Sequence, residues 1–220
     1  MAELRLRLLG VGAMRSPRYA PAGLLVSYGG SRVAIDGGPG AEPDTPIDAW
    51  LVCDDSSELR SELKQLAGAR GQAPAVSDFA AGGLALEPRP VEHTSHPTFG
   101  YLIRAEGRRV AWAPEFWTFP DWAAGVDLLF ADAAGWERPI RFAGGVGGHA
   151  AALAVADEAR RRGVKRLVFA HIGRPTIRAI DKGDRPPFGE LGEDGRSYRL
   201  RGSRRPRPDR TRQSGARPRR

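Results

Sequence analysis

The sequence predicts an α/β fold, and three stretches carry that expectation. From Pro139 to His171 a glycine-rich loop, an apolar-faced helix and a buried strand follow one another, which is the order of an α/β unit. Ile47 to Cys53, IDAWLVC, reads as a second buried strand running into a helix. Between them, Phe99 to Ala105 and Arg109 to Ala113 alternate aromatic and branched residues around Glu106-Gly107, the pattern of a hairpin.

The 220 residues, 41% of them hydrophobic, suffice for one domain with a substantial core. The net charge of +8 suggests a nucleic-acid binder until it is located. Arg201 to Arg220 holds nine Arg and one Asp, so the tail accounts for the whole excess and the body is neutral. The body therefore gives no independent reason to expect DNA or RNA. The expected organisation is a domain over residues 1–195 and a disordered Arg-rich tail over 196–220. A single cysteine, Cys53, excludes an internal disulfide and suits a reducing compartment. The opening MAELRLRLLGVG alternates Leu with charge, reading as a strand and not a signal peptide. No apolar run approaches membrane-spanning length, and the expected location is cytoplasmic.

In chain order, Leu4, Leu6 and Leu8 mark a half-buried first strand leading to Gly10-Val11-Gly12. That lone glycine pair is poor evidence for phosphate binding, because Ser16-Pro17 and Pro21 break the segment where a helix should follow. Leu24 to Tyr28 and Arg32 to Ile35 form a hairpin ending in Asp36-Gly37-Gly38-Pro39-Gly40. After Cys53, Asp55 and Glu58 have capping-box spacing, with Leu59, Leu63 and Leu66 as the helix's inner stripe. Val76 to Leu86 reads as short irregular strands. Trp112, Trp117 and Trp122 either wall a pocket or cover a sheet edge. Val126 to Phe130 is a buried strand ending near Asp132. The helix of Ala150 to Arg162 begins at His149, and the strand Val164 to Ala170 is terminated by His171.

The chemistry gathers at the central hairpin. If Arg104 faces Arg109, Glu115 falls opposite Thr98, near His96 and a few residues from His93. Imidazole and carboxylate at one strand end suit a metal or an acid/base site, and also a plain polar rim. His171, at the C-terminal end of a buried strand, stands where α/β ligands sit, or caps that strand by a hydrogen bond.

Taken together, several segments resemble the metallo-β-lactamase-fold superfamily, especially its ribonuclease Z and phosphodiesterase-like branch. They are LRLLGVGAMRSPRYAPAGLLVSYGGSRVAIDGGPG, HTSHPTFGYLI, VAWAPE and GGHAAALAVADEARRRGVKRLVFAHIGRP, in that order over residues 4–182. The resemblance implies a four-layer αββα sandwich and a metal-dependent hydrolase. The family's Thr-His-x-His-x-Asp-His turn is replaced here by Cys53-Asp54-Asp55-Ser56-Ser57-Glu58-Leu59. Asp54 and Ser56 stand for the first two histidines, Glu58 for the aspartate and Leu59 for the last histidine.

The ligand set implied by what remains is His93, His96, Glu115 and His171, with Asp54 or Glu58 adding oxygen. Asp54 and His149 are the catalytic candidates, and His149 is the general acid that the resemblance implies. Such a set suits one zinc, manganese or iron ion better than two. The expected substrate is a small-molecule or nucleotide ester, a phosphodiester first among them. Two other expectations belong to different classes. One is a catalytically inactive scaffold of the same fold. The other is weak nucleic-acid contact through Arg201 to Arg220.

Overall fold

The computed structural model describes residues 3–144 and 146–201. Strands β1 (Glu3–Gly10), β2 (Gly23–Tyr28), β3 (Ser31–Asp36) and β4 (Ala49–Leu51) come first, then helix α1 (Arg60–Gly68). Next are β5 (Phe79–Ala81), β6 (Leu84–Val91), β7 (Thr98–Ala105), β8 (Arg108–Ala113), β9 (Leu128–Ala133), β10 (Ile140–Arg141) and β11 (Gly148–His149). Helix α2 (Ala152–Arg161), β12 (Leu167–Ile172), helix α3 (Arg174–Asp181), β13 (Glu190–Leu191) and β14 (Ser197–Arg201) complete the chain.

Two large sheets result, one ordered β14-β1-β2-β3-β4 and the other β13-β12-β9-β8-β7-β6-β5. Leu4, Leu6 and Leu8 of β1 share a core with Trp112 of β8, Phe130 of β9 and Phe169 of β12, all nearly inaccessible to water. The sheets thus pack face to face, as two half-apolar sheets must to leave water. Ala34, Trp50 and Val52 form a separate cluster with Leu63 and Ala67 of α1, so α1 covers the other face of the first sheet. α2 contacts β9 and β12 of the second sheet. These layers agree with the expected αββα sandwich.

The central hairpin has the expected register, Arg104 opposite Arg109. Its turn residues Glu106 and Gly107 both have positive φ, 48° and 75°, the backbone of a two-residue hairpin turn matched to strand twist. Other boundaries move. The strand expected over 47–53 is ordered only over Ala49–Leu51, where it lies parallel to β3. The capping box at Asp55 and Glu58 does not form: α1 starts after Leu59 with no side-chain cap. Asp54 instead turns the chain by accepting the Ser56 N–H at 2.6 Å, and Asp55 pairs with Arg60. The irregular strands expected over 76–86 are a hairpin, β5 with β6, turning at Gly82-Gly83.

The boundary at residue 195 is also corrected. Ser197–Arg201 pairs antiparallel with β1 and buries Tyr198, so the folded body runs to residue 201. Polar residues alternating with Tyr198 and Leu200 are an ordinary edge-strand pattern that the neighbouring arginines disguise. The rest of the expected disordered tail, residues 202–220, lies outside the described residues. Among the described residues no helix is long and apolar enough to cross a membrane.

Candidate active site

β8 ends at Ala113, and Pro114 breaks its pairing so that Glu115 projects from the sheet end. Across it stands His171, which lies inside β12 and not after it. The β9–β12 register shifts between Ala170 and Ile172, and His171 takes a φ of 55°. Histidine visits this left-handed region more readily than branched residues do. The resulting bulge puts His171 Nδ1 3.1 Å from Glu115 Oε1.

His93 approaches Glu115 from the other side, its Nε2 3.2 Å from Oε2. Its Nδ1–H donates to the Gly148 carbonyl at 2.8 Å, and the Gly148 N–H returns a bond of 2.8 Å to the His93 carbonyl. A carbonyl only accepts, so the proton is fixed on Nδ1 and Nε2 faces the carboxylate. Glycine is required beside this clasp. A β-carbon on Gly147, where φ is 67°, would sit 1.9 Å from the His93 carbonyl oxygen.

His149, on β11, stacks against His171 with centroids 5.0 Å apart at 22°, and lies 4.7 Å from the His93 ring. Its Nδ1 is held 2.8 Å from Oδ2 of Asp132, which is completely buried in β9. Asp132 is fixed in turn by the N–H groups of Phe116 and Ala134. Phe142 meets the His93 and His149 rings edge-on at 5.2 and 5.4 Å.

Burial works against charge throughout, and the contacts decide where it stays. For Glu115 burial favours the neutral acid, but His171 and His93 outweigh it and hold the carboxyl well below its usual range. For His93 and His149 burial disfavours the cation, yet Glu115 for the one and Asp132 for the other raise both above 6.5. For His171 burial prevails and the ring is pushed down.

Three expected ligands are placed otherwise. His96 does not reach Glu115; its Nε2 lies 2.8 Å from Asp54 Oδ2, because residues 94–98 turn back over the end of β4. Asp54 is buried and lines a cavity of about 70 Å³ with Glu115 and His171, but its oxygens are already engaged by His96 and the Ser56 N–H. Glu58 is exposed and outside that lining. Leu59 helps to wall the cavity, an apolar group where the family motif has a ligand.

Two residues that matter are not among the expected candidates. Asp132 looks like the end of a buried strand, and only the pairing of β9 beside β12 brings it under His149. Asp36 looks like a turn residue in Asp-Gly. It is a half-buried carboxylate accepting the Cys53 N–H at 2.7 Å and the Trp112 indole N–H at 2.7 Å, which ties the end of β3 to β8 and to the chain just after β4 beneath the cavity. Burial pushes it up to about 6, although both bonds pull the other way. An acid closing a strand before glycine is the signal that the sequence offers.

An α/β double sandwich with histidines and carboxylates gathered at one rim defines a class of hydrolase-like proteins. The family model described as the beta-lactamase superfamily domain matches residues 55–172, more than half of the chain, and the chain belongs to that family. Solved structures of the same fold include the metallo-beta-lactamase fold protein YhfI from Bacillus subtilis. It has a TM-score of 0.71 at 14% identity, over 91% of this chain and 100% of that one. A diphosphatase from the PhnP family has a TM-score of 0.67 at 19% identity, covering 91% and 98%. Zn²⁺-bound PqqB from Methylobacterium extorquens has a TM-score of 0.65 at 15% identity, covering 89% and 100%. No curated protein matches in sequence.

The family generally uses divalent metal ions. Among the described residues no three His, Cys, Asp or Glu side chains converge as a closed metal-binding group; Glu115 bonds to both imidazoles directly. The donor chemistry nevertheless fits one ion. His93, His171 and Glu115 are two imidazoles and a carboxylate, a set used by catalytic zinc and by non-haem iron. The His93–Gly148 clasp is the support that metal-binding imidazoles have on their outer nitrogen. Ser56 and Leu59 stand in the turn where the resembling motif carries imidazoles.

Proposed function

We propose that this chain is a metal-dependent hydrolase with a mononuclear site, acting on a phosphodiester or another ester. One observation carries the reading: Glu115 is gripped between His93 and His171 while His149, braced by buried Asp132, stacks over the same centre. His93, Glu115 and His171 would hold the ion, of zinc, manganese or iron, which when bound polarises the ester oxygen and acidifies water. His149 keeps its proton at neutral pH more readily than a free imidazole does, and gives it to the leaving oxygen. Asp132 fixes that ring's orientation and tautomer. Asp54 lines the cavity with Glu115 and His171, and His96 bonds to Asp54 from outside that lining. That a neighbour of this fold is a diphosphatase and another is Zn²⁺-bound supports the class of reaction, and their sequences are too distant to support a substrate.

The test is hydrolysis of bis(p-nitrophenyl) phosphate by protein reconstituted with each ion. Activity should require the ion and fall about 10²-fold or more in His149→Ala for substrates with poor leaving groups. A chain with no turnover on any ester after reconstitution would be the inactive scaffold. Ser56 and Leu59, standing where the resembling motif has imidazoles, are what favours that second reading.

A further inference from the structure

The cavity beside Glu115 has two kinds of wall. Asp54, Glu115 and His171 line one part of it, and Met14, Pro21, Leu59 and Leu63 line another. The apolar part is held in place from both sides. Leu59 and Leu63 lie one helical turn apart and pack on the cluster of Trp50 and Ala67, and Leu63 is buried. Opposite them, Gly12 bridges to both Pro21 and Ile172, and the Ala13 N–H donates to the Ile172 carbonyl at 3.1 Å. The loop carrying Met14 and Pro21 is thereby fastened to the strand that bears His171. Pro21 and Leu59 meet over Gly38, where an added β-carbon would lie 3.2 Å from Pro21 Cγ and 3.3 Å from Leu59 Cδ1. Met14 remains exposed and flexible, an adaptable apolar group at the rim of the cavity.

Charge and size narrow what such a cavity accepts. Among the described residues of its lining there is no Lys or Arg, and Asp36 adds a third carboxyl group. The carboxylates of Glu115 and Asp54 would cancel the charge of a bound divalent ion, so an anionic substrate meets no net attraction. An ammonium group would lose its water against Leu59 and Leu63, while Asp54 and Glu115 are already engaged by His96, His93 and His171. A cavity of roughly 150 Å³ takes benzene, so one of about 70 Å³ takes a chain of about three or four carbons.

We propose that Met14, Pro21, Leu59 and Leu63 form an acyl-chain pocket, and that the substrate of this centre is a neutral carboxylic ester with a short apolar acyl group. This names the substrate class for the hydrolase reading and rests on that reading for the chemical step. In that step the oxygen of water bonds to the acyl carbon and the ester carbon–oxygen bond breaks, the leaving oxygen taking a proton from His149. Of the two water protons, one restores His149 and the other leaves with the carboxylic acid, whose anion the carboxylates of the cavity repel. The measurement is NMR of the full chain labelled with ¹³C at its methionine methyl groups, of which there are two, Met1 and Met14. Chelator-treated protein is titrated with methyl butyrate, dimethyl phosphate and butylammonium, similar in size and respectively neutral, anionic and cationic. The Met14 signal, identified by its loss in Met14→Leu, should shift with methyl butyrate at concentrations where the two ions leave it in place. Leu59→Phe, which fills the pocket, should weaken that shift and lower the butyrate-to-acetate ratio of kcat/KM for p-nitrophenyl esters about tenfold. Leu59→Ala, at the same half-buried position, should move the preference toward hexanoate. A Met14 signal that follows either ion as readily as the ester, or a chain-length preference unchanged in both variants, would overturn the proposal. A shift with methyl butyrate in a protein that hydrolyses no ester would sink the enzymatic reading and leave the pocket standing; ester turnover without that shift would do the reverse.

Discussion

At the scale of single residues, the site is a contest between burial and partner charge. His149 must be protonated to act as an acid, and Asp132 raises its pKa against the pull of burial. Rate should therefore fall as pH rises through that elevated value. Asp132→Asn, which removes the counter-charge, should move the falling limb to lower pH and reduce kcat by about 10²-fold, checked by pH–rate profiles of both proteins. His93 gives a second pH effect, of opposite sign. A metal ligand must lose the Nε2 proton that Glu115 now stabilises, so ion uptake should strengthen as pH rises and release protons to buffer. Calorimetry in buffers of different ionisation enthalpy measures that release. His96 and Glu58 stand apart from the Glu115 cluster: His96 bonds to Asp54 and Glu58 is exposed, and the turn by which Asp54 engages the Ser56 N–H is not encoded in the sequence spacing.

Elements place these side chains within reach of one another. Glu115 and His171 are legible in the sequence because strands with polar ends are legible, His149 because a glycine-rich loop gives way to a helix there, and the register from Arg104 to Arg109 comes from the turn residues alone. Asp132 is hidden because its importance depends on which strand lies beside β9, a long-range pairing that alternation does not specify. The β10–β11 ribbon is the element whose disturbance should be most informative. Gly147→Ala combines a left-handed φ, costing about 1–2 kcal/mol for a residue with a β-carbon, with a collision against the His93 carbonyl. Urea unfolding should show at least that loss, and ion affinity should fall with it, because the clasp on His93 is what the collision breaks. Ion affinity equal to that of the unaltered chain would mean that the clasp does not orient His93.

Across the whole molecule, the sandwich closes only when its first sheet is complete. β14 covers the far edge of β1 and seats Tyr198 in the shared core against Phe130. A chain ending at Gly195 should lose several kcal/mol, by analogy with removal of a large aromatic from a core, whereas one ending after Gly202 should melt like the full chain. Thermal unfolding of the two truncations decides it, and equal melting points would put β14 outside the cooperative fold. The strand is hard to see in the sequence because Arg-rich composition runs on into the tail, although its period of two survives within the charge. The neutral body and the charged tail are both plain from residue counts. In the proposed hydrolase this sandwich gathers His93, Glu115 and His171 to hold one cation despite the missing imidazoles of the Asp54–Leu59 turn. Elemental analysis of protein purified without chelators tests it most directly. One divalent ion per chain, lost in Glu115→Ala, is the expected result; no ion after reconstitution, or an ion that persists without Glu115, would contradict it.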